Sequence, residues 1–177
     1  MMRRSSFSVF ILLSAGCAQP PTHELEIGAA RVEAARQQDA AVFAPELFAE
    51  AESSLAEAQR LAANESDYLA AIQAAAHSTV RANEAFFRAS SERIVVVRRL
   101  DQLLFELGSL LEMAADRGAR EEAPSELSAF QSRYDAVRAM VKERDLLDAL
   151  AAGAALKPEL LLLEERFRQD APPHPSK

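Results

Sequence analysis

From Tyr68 to Ala114 the chain repeats apolar residues at alternating four- and three-residue steps, without a proline. No other feature restricts the fold as strongly. The series is Tyr68, Ile72, Ala75, Thr79, Ala82, Phe86, Ala89, Arg93, Val96, Leu100, Leu103, Leu107, Leu110 and Ala114, interrupted only by Thr79 and Arg93. A mean step of 3.5 residues is the period of a helix packed along a bundle or coiled coil. It predicts one helix of about 50 residues over 67–117, about 75 Å long at 1.5 Å per residue. Gly108, or the β-branched run Ile94-Val95-Val96-Val97, marks where it can bend. That run alone also suits a short strand, but no partner strand is in sight.

Composition agrees with helices. Alanine supplies 36 of 177 residues, Trp is absent, and aromatic residues make up 6%. Strong helix formers with few β-branched or aromatic residues argue against a sheet. The expected fold is all-α: an elongated antiparallel helical bundle with one long helix.

Prolines divide the rest. A first helical segment over 23–43 carries Leu25, Ala29, Val32 and Ala40 on one face. Ala44-Pro45-Glu46-Leu47 opens a second helix, since proline suits the first helical position and Glu46 the positive end of the dipole. Its face is Leu47, Ala51, Leu55, Ala58 and Leu61, and Asn64-Glu65-Ser66-Asp67 makes a polar turn before the long helix. Pro124-Ser125-Glu126 starts a fourth helix with seam Leu127, Phe130, Tyr134, Val137, Val141, Leu147 and Leu150, expected to end at Gly153 and Lys157-Pro158. A short fifth helix, residues 159–167, holds four consecutive leucines and is expected between other helices. Residues 33–45 and 112–124 share five of thirteen positions, including Ala44-Pro45 and Ala123-Pro124; such matches arise easily in an alanine-rich chain, and a duplicated hairpin is the alternative reading.

The N-terminus reads as an export signal: basic Arg3-Arg4, an apolar stretch from Phe7 to Leu13, then Leu13-Ser14-Ala15-Gly16-Cys17. The apolar run is far below the roughly 20 residues that span a bilayer. The segment resembles a bacterial lipobox, with Ser14 where leucine is commonest, and Cys17 is the single cysteine of the chain. The resemblance implies a signal peptide over 1–16, cleavage before Cys17, and lipidation of Cys17. Ala18, in place of aspartate, implies sorting to the outer membrane in enterobacterial-type export. Cleavage by the general signal peptidase, with Cys17 incidental, is the alternative. Loss of Arg3 and Arg4 leaves 18 basic against 27 acidic residues, a mature charge of -9. The linker over 17–22 is short: Ala18 to Thr22 spans at most about 17 Å. The helical domain is expected over 23–169 and a disordered tail over 170–177.

Recognisable chemistry is sparse. No two of the five glycines form a phosphate-binding loop, and His23, His77 and His174 have no neighbours at metal-ligand spacing. The acidic balance disfavours nucleic acid. Glu121-Glu122 and Lys142-Glu143-Arg144-Asp145 read as solvated helix faces. Arg93, inside the seam, either snorkels outward or meets a glutamate. Arg93 either marks where the bundle stops and the helix protrudes or fixes register or binds a partner; Arg98-Arg99 is a candidate docking point for an acidic partner, and Arg93, Arg98 and Arg99 make up the candidate partner surface.

An Ala-rich helix, then Ala44-Pro45 with Leu47, then Ala51, Leu55 and Ala58, then Ser66-Asp67-Tyr68 with Ala71 and Ala75, resembles a bacterial envelope family. It is catalogued as domain of unknown function 4398, and the likeness covers about residues 24–92. Ser66 departs from the usual glycine, and Leu47 lies one residue nearer the proline. The resemblance implies a helical envelope lipoprotein and supplies no catalytic residues. The expectation is a noncatalytic structural or adaptor lipoprotein at the periplasmic face of a Gram-negative outer membrane, binding another envelope protein through helix surfaces. A peptidoglycan-associated accessory factor for wall enzymes or an OmpA-type protein is the alternative. No cofactor, metal or small-molecule substrate is expected.

Overall fold

The computed structural model describes residues 20–63 and 67–170. Every regular element among them is helical, and the fold is all-α. In chain order these are α1 (Thr22–Gln37), α2 (Ala40–Phe43), α3 (Pro45–Ala62), α4 (Tyr68–Ala114), a π-helical turn (Ala115–Ala119), α5 (Arg120–Glu122), α6 (Pro124–Glu143) and α7 (Leu146–Asp170). They form two compact units, one ending at Phe87 and the other beginning at Arg88. The stretch expected as one bundle over 23–169 therefore divides within α4.

In the first unit α1, α3 and the start of α4 run up, down and up. Arg36 on α1 reaches Glu52 on α3 at 2.7 Å, while Gly28 lies beside Leu55, so α1 and α3 are antiparallel. Arg81 meets Glu50 at 2.9 Å and the Ser78 hydroxyl donates to the Ala51 carbonyl at 2.8 Å, which sets α4 antiparallel to α3. The core of this unit is built mainly of small side chains: Ala35, Ala51, Ala58, Ala71, Ala75 and Ala82 are fully buried, with Val32 and Phe48 the larger members.

Here the structure corrects the expected seam. Ala75 and Ala82 face inward as read, but Ala71 before them and Ser78 between them take the places read for Ile72 and Thr79, of which Ile72 is exposed and Thr79 only half-buried. A seam of Ala and Ser lets two helix backbones approach closely, and larger side chains one position away are turned outward. Thr79 satisfies its hydroxyl on the Ala75 carbonyl at 3.0 Å. In α1 the same logic replaces Ala29, which is exposed, with Gly28, which is buried.

In the second unit the remainder of α4 packs with α6 and α7. Arg133 pairs with Glu159 and Arg166 with Glu126, so α6 and α7 are antiparallel. Lys157 on α7 donates to Glu106 on α4 at 2.6 Å. The seam read for α4 holds from Val96 onward: Val96, Leu100, Leu103, Leu107, Leu110 and Ala114 are all buried. From Leu103 to Ala114 they join Phe130, Leu156, Leu160, Leu163 and Phe167 in one core of mostly large side chains.

The run Ile94-Val95-Val96-Val97 is helical, and α4 continues through Gly108. The break comes instead at Gly118, whose φ of 111° no helix accepts. The fourth helix ends ten residues earlier than expected, because Arg144 adopts φ 71° and Asp145 closes the end onto the Met140 carbonyl. Leu147, Leu150 and Gly153 belong to α7, which also absorbs the separate helix expected over 159–167. Gly153 is no terminator. It is buried, and a methyl there would lie 2.7 Å from Leu103, so the glycine permits a close crossing of α7 and α4. Pro158 sits inside α7 on its exposed side, as does Ala154, so the carbonyl that the proline leaves unbonded lies beside solvent. Of the four leucines, Leu160 and Leu163 are buried, while Leu161 and Leu162 are exposed.

The two segments that share five positions also share their geometry. Asp39 (φ 59°) and Gly118 (φ 111°) stand 79 positions apart, each ahead of a fully buried alanine, Ala40 and Ala119. Each corner then makes a short helical turn and stops at an alanine of nearly identical conformation, Ala44 (φ -147°, ψ 52°) and Ala123 (φ -138°, ψ 53°). The following proline forbids helical geometry at that alanine and opens the next helix. Buried positions match across the units: Val32 with Leu111, Ala35 with Ala114, Ala51 with Phe130, Ala58 with Val137. In the third helix Ala71, Ala75, Ser78, Ala82 and Ala85 recur as Ala149, Gly153, Leu156, Leu160 and Leu163 at an offset of 78, one less than at the corners. The same offset relates the bonds from Ala71 N to Asp67 O and from Ala149 N to Asp145 O, both 2.9 Å. Each unit is one version of the same three-helix repeat, with one residue fewer in the last connection of the second.

Candidate functional site

Leu13, Ser14, Ala15, Gly16, Cys17 and Ala18 lie outside the described residues, as do Ser66 of the polar turn and residues 171–177 of the tail. Among the described residues no helix is long and apolar enough to cross a membrane.

The residues carrying the family resemblance shape the chain instead of lining a cleft. Ala44 is buried at the first corner and Pro45 is the exposed first residue of α3. Leu47 is half-buried beside Phe48, which takes the inward position expected of it. Asp67 is exposed and its carbonyl accepts from Ala71, holding the first turn of α4 behind Tyr68.

The three arginines do not form one patch. At about 100° per residue their directions on α4 differ by roughly 100–140°. Arg93 is half-buried and engaged within the chain, whereas Arg98 and Arg99 are exposed. In the Leu/Val-rich second half of α4, Leu100, Leu103, Leu107, Leu110 and Leu111 are taken up by the core. What remains outside is a different set. Ile94 is 59% and Phe105 77% exposed, with Val95 and Val97 less so. Ile94, Arg98, Asp101 and Phe105 follow four-, three- and four-residue steps on the side of α4 opposite Val96, Leu100, Leu103 and Leu107. Reading one apolar seam hid this second one. Its signal was an identical period displaced by half a turn. In the first unit Leu69, Val80 and Phe87 form another exposed row on α4.

Polar chemistry in the interior is limited. Among the described residues Ser78 and Glu164 are the buried polar ones, the first bonded to Ala51 and the second paired with Arg117 beside the Gly118 corner. His77 Nδ1 and Ser54 Oγ share a hydrogen bond of 3.0 Å whose direction follows the histidine tautomer. His77 is exposed and its neighbours are the ion pairs of Arg81 with Glu50 and Glu84, so the pair sits on an open charged surface. Among the described residues no group of three or more His, Cys, Asp or Glu side chains is placed to hold a metal ion. Hydrogen bonds from Arg166, Arg133 and Lys157 hold the carboxyls of Glu126, Glu159 and Glu106 below the ordinary glutamate range. These are lateral pairs tying helices together.

Neither a family model, nor a curated protein, nor a solved structure matches this chain.

Proposed function

We propose that this chain is a lipid-anchored periplasmic protein of a Gram-negative outer membrane, with a noncatalytic adaptor role. The observation that carries the reading is Cys17, the single cysteine, placed directly after an apolar signal run and the small residues Ser14-Ala15-Gly16. Several acyl chains on that sulfur, at about 0.8 kcal/mol per buried methylene, give a stable anchor without a spanning helix. Ala18 supports sorting to the outer membrane, and the resemblance of Ala44-Pro45-x-Leu47 and Asp67-Tyr68 to the envelope family supports the compartment. The adaptor role rests on the exposed apolar row Leu69, Val80 and Phe87, which suits a helical protein surface.

Palmitate labelling of wild type and Cys17→Ser tests the anchor. Wild type takes up label and fractionates with outer membranes, while the variant takes up none. A labelled variant refutes the reading. A photo-crosslinker at Val80 tests the role: one dominant protein adduct is expected. Sedimentation of the unlinked protein with purified sacculi would point instead to the cell wall.

A further inference from the structure

We infer that the outer face of α4 between Ile94 and Phe105 is a homodimer interface, against which a second copy of this chain lies antiparallel. The inference stands apart from the lipid anchor, since it uses only residues of the second unit. Four exposed residues form the seam: Ile94, Arg98, Asp101 and Phe105. Their four-, three- and four-residue steps are those of core positions in a two-helix interface. The face points away from the core, so the helix carries one apolar seam inward and a second outward.

The order of side chains along the seam identifies the occupant. Ile94 and Phe105 are mirror positions about the point between Arg99 and Leu100, and so are Arg98 and Asp101. Two identical helices related by a two-fold axis at that point bring Ile94 of each against Phe105 of the other. The same operation brings each Arg98 against the opposite Asp101, twice. Among the described residues Arg98 and Asp101 take part in no ion pair, although charged neighbours such as Arg88 and Glu92 are paired. Alongside, Val97 of each copy meets the half-buried Leu104 of the other, adding apolar contact at the flank. A two-fold interface requires this kind of self-complementarity, in which one patch serves as both halves. Parallel pairing places Arg98 on Arg98 and Asp101 on Asp101, which like-charge repulsion disfavours. A membrane surface is an unsuitable occupant, because the centre of the seam is charged.

The experiment compares four full-length chains by sedimentation: wild type, Arg98→Asp, Asp101→Arg, and the double reversal R98D/D101R. Wild type is expected to dimerise. Each single reversal puts like charges opposite each other at two places and weakens the dimer at least about tenfold. The double reversal exchanges the charges on both copies and restores it. All four should keep the same helical circular dichroism, because the altered residues are exposed. Orientation is read by disulfide formation between an Ile94→Cys chain and a Phe105→Cys chain, both carrying Cys17→Ser. The mixture should crosslink and Ile94→Cys alone should not. A wild type that stays monomeric at about 100 µM, single reversals without effect, or an Ile94→Cys self-crosslink each overturns the proposal. So does finding this face occupied by a different protein while the chain remains monomeric.

Discussion

Gly28 and Gly153 occupy buried helical positions, yet the space around them predicts opposite responses to a methyl group. At Gly153 the new carbon would lie 2.7 Å from the Leu103 side chain and 3.6 Å from Leu107, both inside the packed leucine core. Leu103 is 8% exposed and has little room to yield. Overpacking of about 1–3 kcal/mol outweighs the gain of about 1 kcal/mol from replacing a helical glycine. Gly153→Ala should therefore lower the unfolding temperature. At Gly28 the nearest atom is Leu55 Cδ1 at 3.2 Å, the end of a half-buried side chain. A shift of a few tenths of an ångström relieves it, so helix propensity wins and Gly28→Ala should be neutral or stabilising by up to about 1 kcal/mol. Thermal melts followed by circular dichroism check both. Equal destabilisation by the two variants would contradict the close crossing assigned to Gly153.

At the scale of elements, α6 and α7 are held by an apolar seam and by two lateral carboxylate–arginine pairs, Glu126 with Arg166 and Glu159 with Arg133. Both carboxyls titrate below their ordinary value of 4.5, chiefly through the arginine hydrogen bonds. A group with a depressed folded value stabilises the fold fully above its unfolded value and loses that contribution as pH falls through the folded one. Wild type and a Glu126→Gln/Glu159→Gln variant should therefore differ most in unfolding temperature near pH 7. The gap should hold down to about pH 5 and close below 4.5. A gap independent of pH means the pairs contribute through packing alone. The same elements show what could be read from the chain. Helix starts at Pro45 and Pro124 were readable because proline restricts both its own φ and the residue before it. The α4 seam from Val96 to Leu110 was readable because its members are large. The seam from Ala71 to Ala85 was misplaced, since periodicity of bulk selects Ile72 and Phe86 where close backbone approach selects Ala and Ser. Gly153 and Pro158 read as breakers because local propensity cannot register a crossing helix or a solvent-facing carbonyl. The three arginines grouped as a candidate partner surface are spread around α4 for a related reason: adjacent residues in sequence point to different sides of a helix, whereas Ile94, Arg98 and Phe105 share a side.

At the scale of the molecule, one three-helix pattern is built twice with very different core materials. The first unit buries Ala35, Ala51, Ala58, Ala71, Ala75 and Ala82, and the matching positions of the second hold residues such as Phe130, Val137, Leu156 and Leu160. Each added buried methylene contributes about 0.8 kcal/mol, so the second unit has the deeper apolar reserve even after the extra side-chain entropy of leucine and phenylalanine. Helix α4 is common to both, with its residues up to Phe87 in one unit and those from Arg88 in the other. Its backbone amides thus report on two cores within one element. Opening free energies follow local packing, and regions with small cores open first. Native-state hydrogen exchange should show the slowest amides between Leu100 and Ala114. Residues 71–85 should exchange at least about tenfold faster, although both stretches are helical and bonded alike. Enlarging the first core at one position, for example Ala58→Val to match Val137, should slow exchange at 71–85 if the methyls fit and leave 100–114 unchanged. Uniform protection along the whole of α4 would mean that the two units open as one cooperative body, and the contrast between their cores would then carry no thermodynamic weight.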